Sequence, residues 1–129
     1  MGYYTSFDLT VIDKNDEIPS EDKMIEMGNK LSEMSEEFSY FSKGTDIRRM
    51  IDCDTMKWYE YYEDMEDFSK EFPEYMFILS GYGEERNDTW IAHFQNGRCQ
   101  QRDSEIIYDD FNPELFDPEW AFLEKTNSR

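Results

Sequence analysis

Hydrophobic positions in the first third of the chain change from a period of two to a period of three or four. Residues 3–12 alternate between apolar or aromatic and polar side chains, which predicts a half-buried strand. After a polar turn, the longer period predicts a helix with Ser20 as its N-cap. We expect Gly28, beside the apolar stripe of this helix, to allow close packing on a sheet. The stripe consists of Met24, Met27, Leu31, Met34 and Phe38.

The middle of the chain contains an ambiguous segment followed by a second helix. Residues 38–53 fit either a short strand or an extension of the first helix, and this choice stays open. The next pattern predicts a helix capped by Asp54 or Thr55 that runs to about Phe72, because Pro73 disfavours its continuation. Its predicted buried stripe is Trp58, Tyr62, Met65, Phe68 or Ser69, and Phe72.

The remaining chain has the pattern of a strand meander. Strands are predicted over residues 75–81, over residues 89–94 and from residue 98, and we expect residues 106–108 to continue or restart the last one. Asn96-Gly97 is the dipeptide favoured in a two-residue hairpin turn. Gly81-Tyr82-Gly83 fits a bulge or turn. Asn112-Pro113 and Asp117-Pro118 each fit a helix start, and we expect the final short helix to pack on the body through Trp120, Phe122 and Leu123.

These elements predict an α+β fold of two layers. The N-terminal strand and the three-stranded C-terminal meander form a mostly antiparallel sheet, two helices cover one face, and a short helix ends the chain. We expect residues 1–129 to form a single domain, because the length suits one core and no linker or repeat is present.

Charge restricts the classes of partner. The chain has 31 acidic and 13 basic residues, a net charge of −18, and an aromatic content of 17%, which is high for a disordered acidic chain. Direct binding to DNA, RNA or an anionic membrane is disfavoured by the sign of the Coulomb energy. No apolar run reaches membrane-spanning length and no secretory leader is recognised, so we expect the cytoplasm of a bacterial host.

Residues for catalysis or metal binding are sparse. His93 is the single histidine and falls in a predicted strand, which favours a structural role. Cys53 and Cys99 can pair, but two cysteines in a leaderless chain are more often reduced. No phosphate-binding loop, catalytic triad pattern, EF-hand loop or zinc-ligand spacing is present, and acids at helical spacing, which could bind Ca²⁺ or Mg²⁺ loosely, fit a solvated helix face better. We therefore expect a protein that is not an enzyme and that uses no metal or cofactor.

Two acidic segments are the candidate binding sites. Asp54–Glu74 contains eight acids and two bases, and Asp103–Glu119 contains seven acids and no base. Solubility alone accounts for some of this charge, but −18 exceeds what a small domain needs. Aromatic residues interleaved with acids favour binding to a basic protein, with charge accelerating association and rings anchoring the complex. The candidate contact residues are Glu60, Tyr61, Glu63, Asp64, Asp67, Tyr108, Asp109 and Asp110.

Several short motifs of the chain are similar to those of a known protein family. They are Lys57-Trp58-Tyr59, Phe77-x-Leu79-x-Gly81-x-Gly83-Glu84-Glu85, Asp88-x-Trp90 and Phe94-x-Asn96-Gly97. This pattern resembles a family of small acidic proteins of phages, prophages and bacteria, mostly without an assigned function. The resemblance implies a phage or mobile-element setting. It assigns no functional residues, because the shared positions are those of a scaffold.

The leading hypothesis is a phage-type inhibitor that blocks the nucleic-acid-binding site of a host protein, as antirestriction and anti-CRISPR proteins do. In this hypothesis the carboxylates stand in for nucleic-acid phosphates. One alternative is an immunity or antitoxin protein that neutralises a basic nuclease toxin. Another is a structural or regulatory phage protein whose acidic surface only keeps it soluble. Clustering of the acids on one side of the molecule favours the first hypothesis over the last.

Overall fold

The computed structural model describes residues 3–52, 55–85 and 88–126. They form five strands, three α-helices and three short 3₁₀ segments. In chain order these are β1 (Thr5–Ile12), α1 (Glu21–Met34), a 3₁₀ turn (Glu36–Phe38), α2 (Ile47–Asp52), β2 (Thr55–Met56), α3 (Tyr61–Ser69), β3 (Met76–Tyr82), β4 (Thr89–Gln95), β5 (Arg98–Asp103) and two further 3₁₀ segments (Pro113–Leu115 and Pro118–Thr126).

The strands form one antiparallel sheet in the order β2-β1-β3-β4-β5. The N-terminal strand lies inside the sheet beside the first strand of the meander, and Leu9 is aligned with Leu79. Helices cover one side of this sheet, so the predicted α+β sandwich is confirmed. β2 and α2 are additions that the sequence pattern did not indicate.

The two faces of the sheet differ because successive side chains of a strand point to opposite sides. On the helix-covered face, Phe7, Leu9, Phe77, Leu79 and Phe94 are buried in the core with side chains of α1, α2 and α3. The residues between them point to the other side, where none of the three helices lies. We call this second side the open face.

Helix α1 starts as predicted but ends earlier. Ser20 caps it by accepting a hydrogen bond from the backbone N–H of Lys23 (3.2 Å). Met34 is its last residue and is exposed, while Phe38 is buried from the following 3₁₀ turn. The prediction that Gly28 allows close packing on the sheet was wrong: a Cβ there would collide with the carbonyl oxygen of Thr45, in the segment that leads into α2.

The ambiguous segment contains α2, which lies beside β1. Ile47, Met50 and Ile51 of α2 are buried. The carboxylate of Asp52 accepts a hydrogen bond from the backbone N–H of Leu9 (3.0 Å), at the edge of β1 that β2 is too short to cover. This segment thus closes one edge of the sheet.

The second predicted helix begins later than the sequence suggests. α3 starts at Tyr61, and Thr55 belongs to β2, so Thr55 does not cap it. Asp54, the alternative cap, and Cys53 lie outside the described residues. The predicted stripe is nevertheless directed inward, because Trp58, Met65, Phe68, Ser69 and Phe72 are all buried.

The C-terminal part confirms the hairpin and corrects the tail. Asn96 and Gly97 both have positive φ (49° and 80°), as the two-residue turn requires. Gly81 lies within β3, and its missing side chain makes room for the Trp90 ring. β5 ends at Asp103, so residues 106–108 neither continue nor restart it.

The chain end also differs from the prediction. Pro113–Leu115 and Pro118–Thr126 are 3₁₀ segments, and Trp120 and Phe122 stay 49% and 58% exposed instead of packing on the body. In the described part of the chain, no helix has the length and apolar character needed to cross a membrane.

Candidate functional site

An acidic stripe runs along the outer side of α3. Its members Glu60, Glu63 and Asp67 are spaced by three or four residues and are all exposed, and two further exposed acids, Glu71 and Glu74, follow after the end of α3. Because this spacing places side chains on one side of a helix, successive carboxylates stand about one helical turn apart, roughly 5 Å. We call Glu60, Glu63 and Asp67 the acidic stripe.

The carboxylates of the stripe differ in whether a nearby lysine neutralises their charge. Asp67 Oδ1 is 3.5 Å from Lys70 Nζ, and Glu71 Oε1 beyond the stripe is 3.6 Å from Lys30 Nζ. Glu60 and Glu63 form no ion pair within the described residues. The N-terminal part of the stripe therefore presents uncompensated charge to a partner.

Asp64, the neighbour of Glu63, is directed inward. Its Oδ2 accepts hydrogen bonds from Trp58 Nε1 (2.8 Å) and from Ser35 Oγ (2.7 Å). Trp58 and Ser35 are buried, so this carboxylate satisfies two donors that have little access to solvent. Asp64 joins α3 to the end of α1, and we do not carry it forward as a partner contact.

Tyr61 also has a packing role. Its ring stacks on Trp90 with centroids 4.4 Å apart and planes 14° from parallel, and its hydroxyl donates to Gln101 Oε1 (2.8 Å). Burial raises the pKa of Tyr61, and the hydrogen bond with Gln101 partly opposes this increase. A ring held against the sheet in this way is not free to insert into a partner.

The tail after β5 matches the expectation of exposed acids and aromatics. Tyr108 is 72% exposed, and Asp109 and Asp110 are exposed beside it. None of the hydrogen bonds or ion pairs found among the described residues involves these three. Further along, the rings of Phe111 and Phe116 stack on each other with centroids 5.4 Å apart.

Acidic residues are distributed unevenly over the molecule. On the open face the charged strand residues are Asp8, Arg98 and Arg102, so this side has a small positive excess. The acidic stripe and the acids of α1 lie on the helix-covered side, and the tail adds seven acids without a base. The strands of the open face thus carry little of the negative charge, which lies mainly on the helices, the loops and the tail.

The histidine and the described cysteine lie on opposite faces of the sheet. His93 lies on the open face between Ile78 and Gln100 of the neighbouring strands, and its Nδ1 is buried without a hydrogen-bond partner. Cys99 packs against the core edge, and burial raises the pKa of its thiol. Among the described residues, no three histidine, cysteine, aspartate or glutamate side chains are grouped closely enough to hold a metal ion.

Sequence reasoning missed the inward direction of Asp64 and Tyr61. The helical spacing was a usable signal: Tyr61, Met65 and Phe68 share one side of α3, and Asp64 lies next to it. The partners Ser35 and Gln101 are distant in sequence, and no local pattern identifies them. Comparison of the chain with protein-family models, curated proteins and solved structures gave no match.

Proposed function

We propose that this protein is a non-enzymatic inhibitor that binds a nucleic-acid-binding protein of a bacterial host through its acidic surface. The observation that supports this proposal is the row of exposed carboxylates on the acidic stripe, which contrasts with the weakly positive strand residues of the open face on the other side of the sheet. The exposed acids of the tail add to this charge. The proposal includes a phage-type role of the antirestriction or anti-CRISPR kind.

The contacts divide into two groups. Glu60, Glu63 and Asp67 stand in for phosphates on a rigid helix whose other side is fixed in the core. Tyr108 supplies the exposed ring, with Asp109 and Asp110 beside it. Preformed carboxylates raise the association rate through long-range attraction, while an exposed ring that becomes buried slows dissociation. Binding of this kind is sensitive to salt.

The first experiment identifies the target and then tests competition. The protein is immobilised, exposed to nuclease-treated bacterial lysate and eluted with a salt gradient, and the retained proteins are identified by mass spectrometry. The purified target is then titrated with labelled DNA or RNA. We expect one nucleic-acid-binding protein, retained at moderate salt, whose nucleic-acid binding is competitively inhibited. A basic nuclease toxin as the only retained protein would instead favour the immunity alternative.

Charge reversal on the acidic stripe tests the site. We expect Glu63→Lys with Asp67→Lys to slow association with the target by at least about tenfold, because steering depends on local charge. The matched control is Glu17→Lys with Glu85→Lys, which makes the same change in net charge at exposed positions outside the stripe. Equal inhibition by both variants, or a broad set of basic proteins lost by about 0.2 M salt, contradicts the proposal.

A further inference from the structure

The open face has an unusual composition for an uncovered sheet. An antiparallel face in contact with water is normally polar. Here Met76, Ile78 and Ile91 occupy outward positions on β3 and β4, and Tyr82 is 53% exposed at the end of β3. The buried, unpaired Nδ1 of His93 lies among them. An apolar centre with an unused hydrogen-bonding atom is typical of a surface that another layer covers.

Charge indicates what that layer is. Two copies with a net charge of −18 repel each other wherever acidic surfaces meet. The strands of the open face add little to this repulsion, because their charged residues on this side are one acid and two arginines. Neither Arg98 nor Arg102 has an ion-pair partner within the described residues.

The sheet register places these charges so that the face complements itself. Asp8, Ser80, Ile91 and Arg102 form one row across four strands, with Asp8 and Arg102 at opposite ends. A twofold axis that lies between two such faces, parallel to the strands and between β3 and β4, puts Asp8 of each copy over Arg102 of the other. A twofold axis perpendicular to the strands would instead stack the arginine-bearing strands on each other.

The geometry of sheet packing is compatible with this pairing. Packed sheets lie about 10 Å apart and are rotated by about 30°. Asp8 and Arg102 are three strand spacings apart, so each lies about 7 Å from the axis. The rotation of the sheets therefore displaces Asp8 of one copy from Arg102 of the other by about 4 Å along the strand direction. A shift of about one residue lies within the reach of an arginine side chain.

A cavity near one end of the open face also matches this arrangement. Its volume is about 430 Å³, and Tyr82, Thr89, Ile91 and Arg102 are among its lining residues. Tyr82 is aligned with Thr89 on the neighbouring strand. The same twofold axis therefore places Tyr82 of each copy above Thr89 of the other, at this cavity.

We propose that the open face is the interface of a homodimer in which two copies pack sheet against sheet. Asp8 of each copy pairs with Arg102 of the other, and Ile78, Ile91 and Tyr82 supply the buried apolar area. The helices then lie on the two outer sides, so each dimer carries two acidic stripes facing away from each other. The inference does not rest on the proposed function, because it uses the opposite side of the sheet.

Single charge reversals test the pairing. Sedimentation velocity on the full chain, over about a hundredfold range of concentration at physiological salt, should show the wild-type protein associating to twice the monomer mass. We expect Asp8→Arg alone and Arg102→Asp alone to weaken association by at least about tenfold. In either variant, both symmetric contacts between positions 8 and 102 would bring like charges together. Lys43→Asp is the matched control for Arg102→Asp, since it makes the same charge change at an exposed position on a loop between α1 and α2.

Mixing the two variants tests the register itself. Asp8→Arg and Arg102→Asp proteins should each remain monomeric alone and form a heterodimer when mixed, because both contacts then join opposite charges. The double variant Asp8→Arg/Arg102→Asp should regain the homodimer. A wild-type protein that is monomeric throughout, or a mixture that fails to associate, overturns the proposal. Loss of target binding by Glu63→Lys/Asp67→Lys with the dimer retained would show that the two surfaces are separate.

Discussion

Glu63 and Asp64 are adjacent in the sequence and have opposite roles in the structure. Glu63 is exposed on the acidic stripe, whereas Asp64 accepts hydrogen bonds from Trp58 and Ser35. A sequence pattern records that both are acidic, but the direction of each side chain depends on where α3 begins. The composition of the candidate site was therefore evident from the sequence. The directions of its side chains were not, because they depend on the residue at which α3 begins.

Substitution of Asp64 tests its structural role. We expect Asp64→Ala to lower the free energy of unfolding by about 2–4 kcal/mol, because it leaves two buried donors without an acceptor. Glu63→Ala should change it by less than about 0.5 kcal/mol, since that side chain is exposed. Urea denaturation followed by tryptophan fluorescence measures both. Equal stability of the two variants would contradict the role assigned to Asp64.

Asp52 gives the fold a pH-dependent contribution. Partial burial raises the pKa of its carboxyl from 3.8 to about 6, and the nearby charge of Asp8 adds to the increase, while the hydrogen bond from Leu9 opposes it. Because the pKa is higher in the folded state, this contribution is fully present below about pH 4 and is lost as the pH rises through 6.

The variant Asp52→Asn isolates this effect, because the amide oxygen can still accept the hydrogen bond from Leu9 and cannot ionise. We expect the melting temperature of the variant, relative to wild type, to rise between pH 4 and pH 7. Thermal unfolding monitored by circular dichroism at several pH values provides the measurement. A difference that stays constant across this range would show that Asp52 is not the responsible group.

At the scale of elements, prediction succeeded where the signal was local. β1, the start of α1 and the Asn96-Gly97 hairpin follow from alternation, an N-cap and a turn dipeptide, each contained within a few residues. β2 is a strand only because it pairs with Thr5 and Ser6, about fifty residues earlier. The start of α3 was missed because Trp58 is buried at a position that also fits the helical period.

The contact between α1 and the segment before α2 gives an element-scale prediction. Gly28→Ala should improve helix propensity by about 1 kcal/mol, yet the added Cβ meets the Thr45 carbonyl, which is backbone and cannot rotate away. We expect a net loss of about 1–3 kcal/mol in unfolding free energy. Ser32→Ala on the same helix is the control and should change stability by less than about 0.5 kcal/mol. A Gly28→Ala protein at least as stable as wild type would contradict the close approach.

At the scale of the whole molecule, the net charge can be counted from the sequence, but the distribution of that charge over the surface cannot be predicted from it. The count of −18 indicated an acidic surface, while the separation between the helix-covered side and the open face depends on the strand alternation and the sheet order. The self-complementary row from Asp8 to Arg102 spans more than ninety residues of sequence. Only the assembled sheet brings these charges into one line.

The position of β1 inside the sheet has a consequence for synthesis on the ribosome. β1 is made before its long partner β3, which ends at Tyr82, and the intervening helices need the same sheet to cover their apolar sides. The nascent chain therefore cannot complete this pairing until the residues up to Tyr82 have been made. Until then, β1 lacks the strand that pairs along most of its length, so the emerging chain depends on its dense negative charge to resist aggregation.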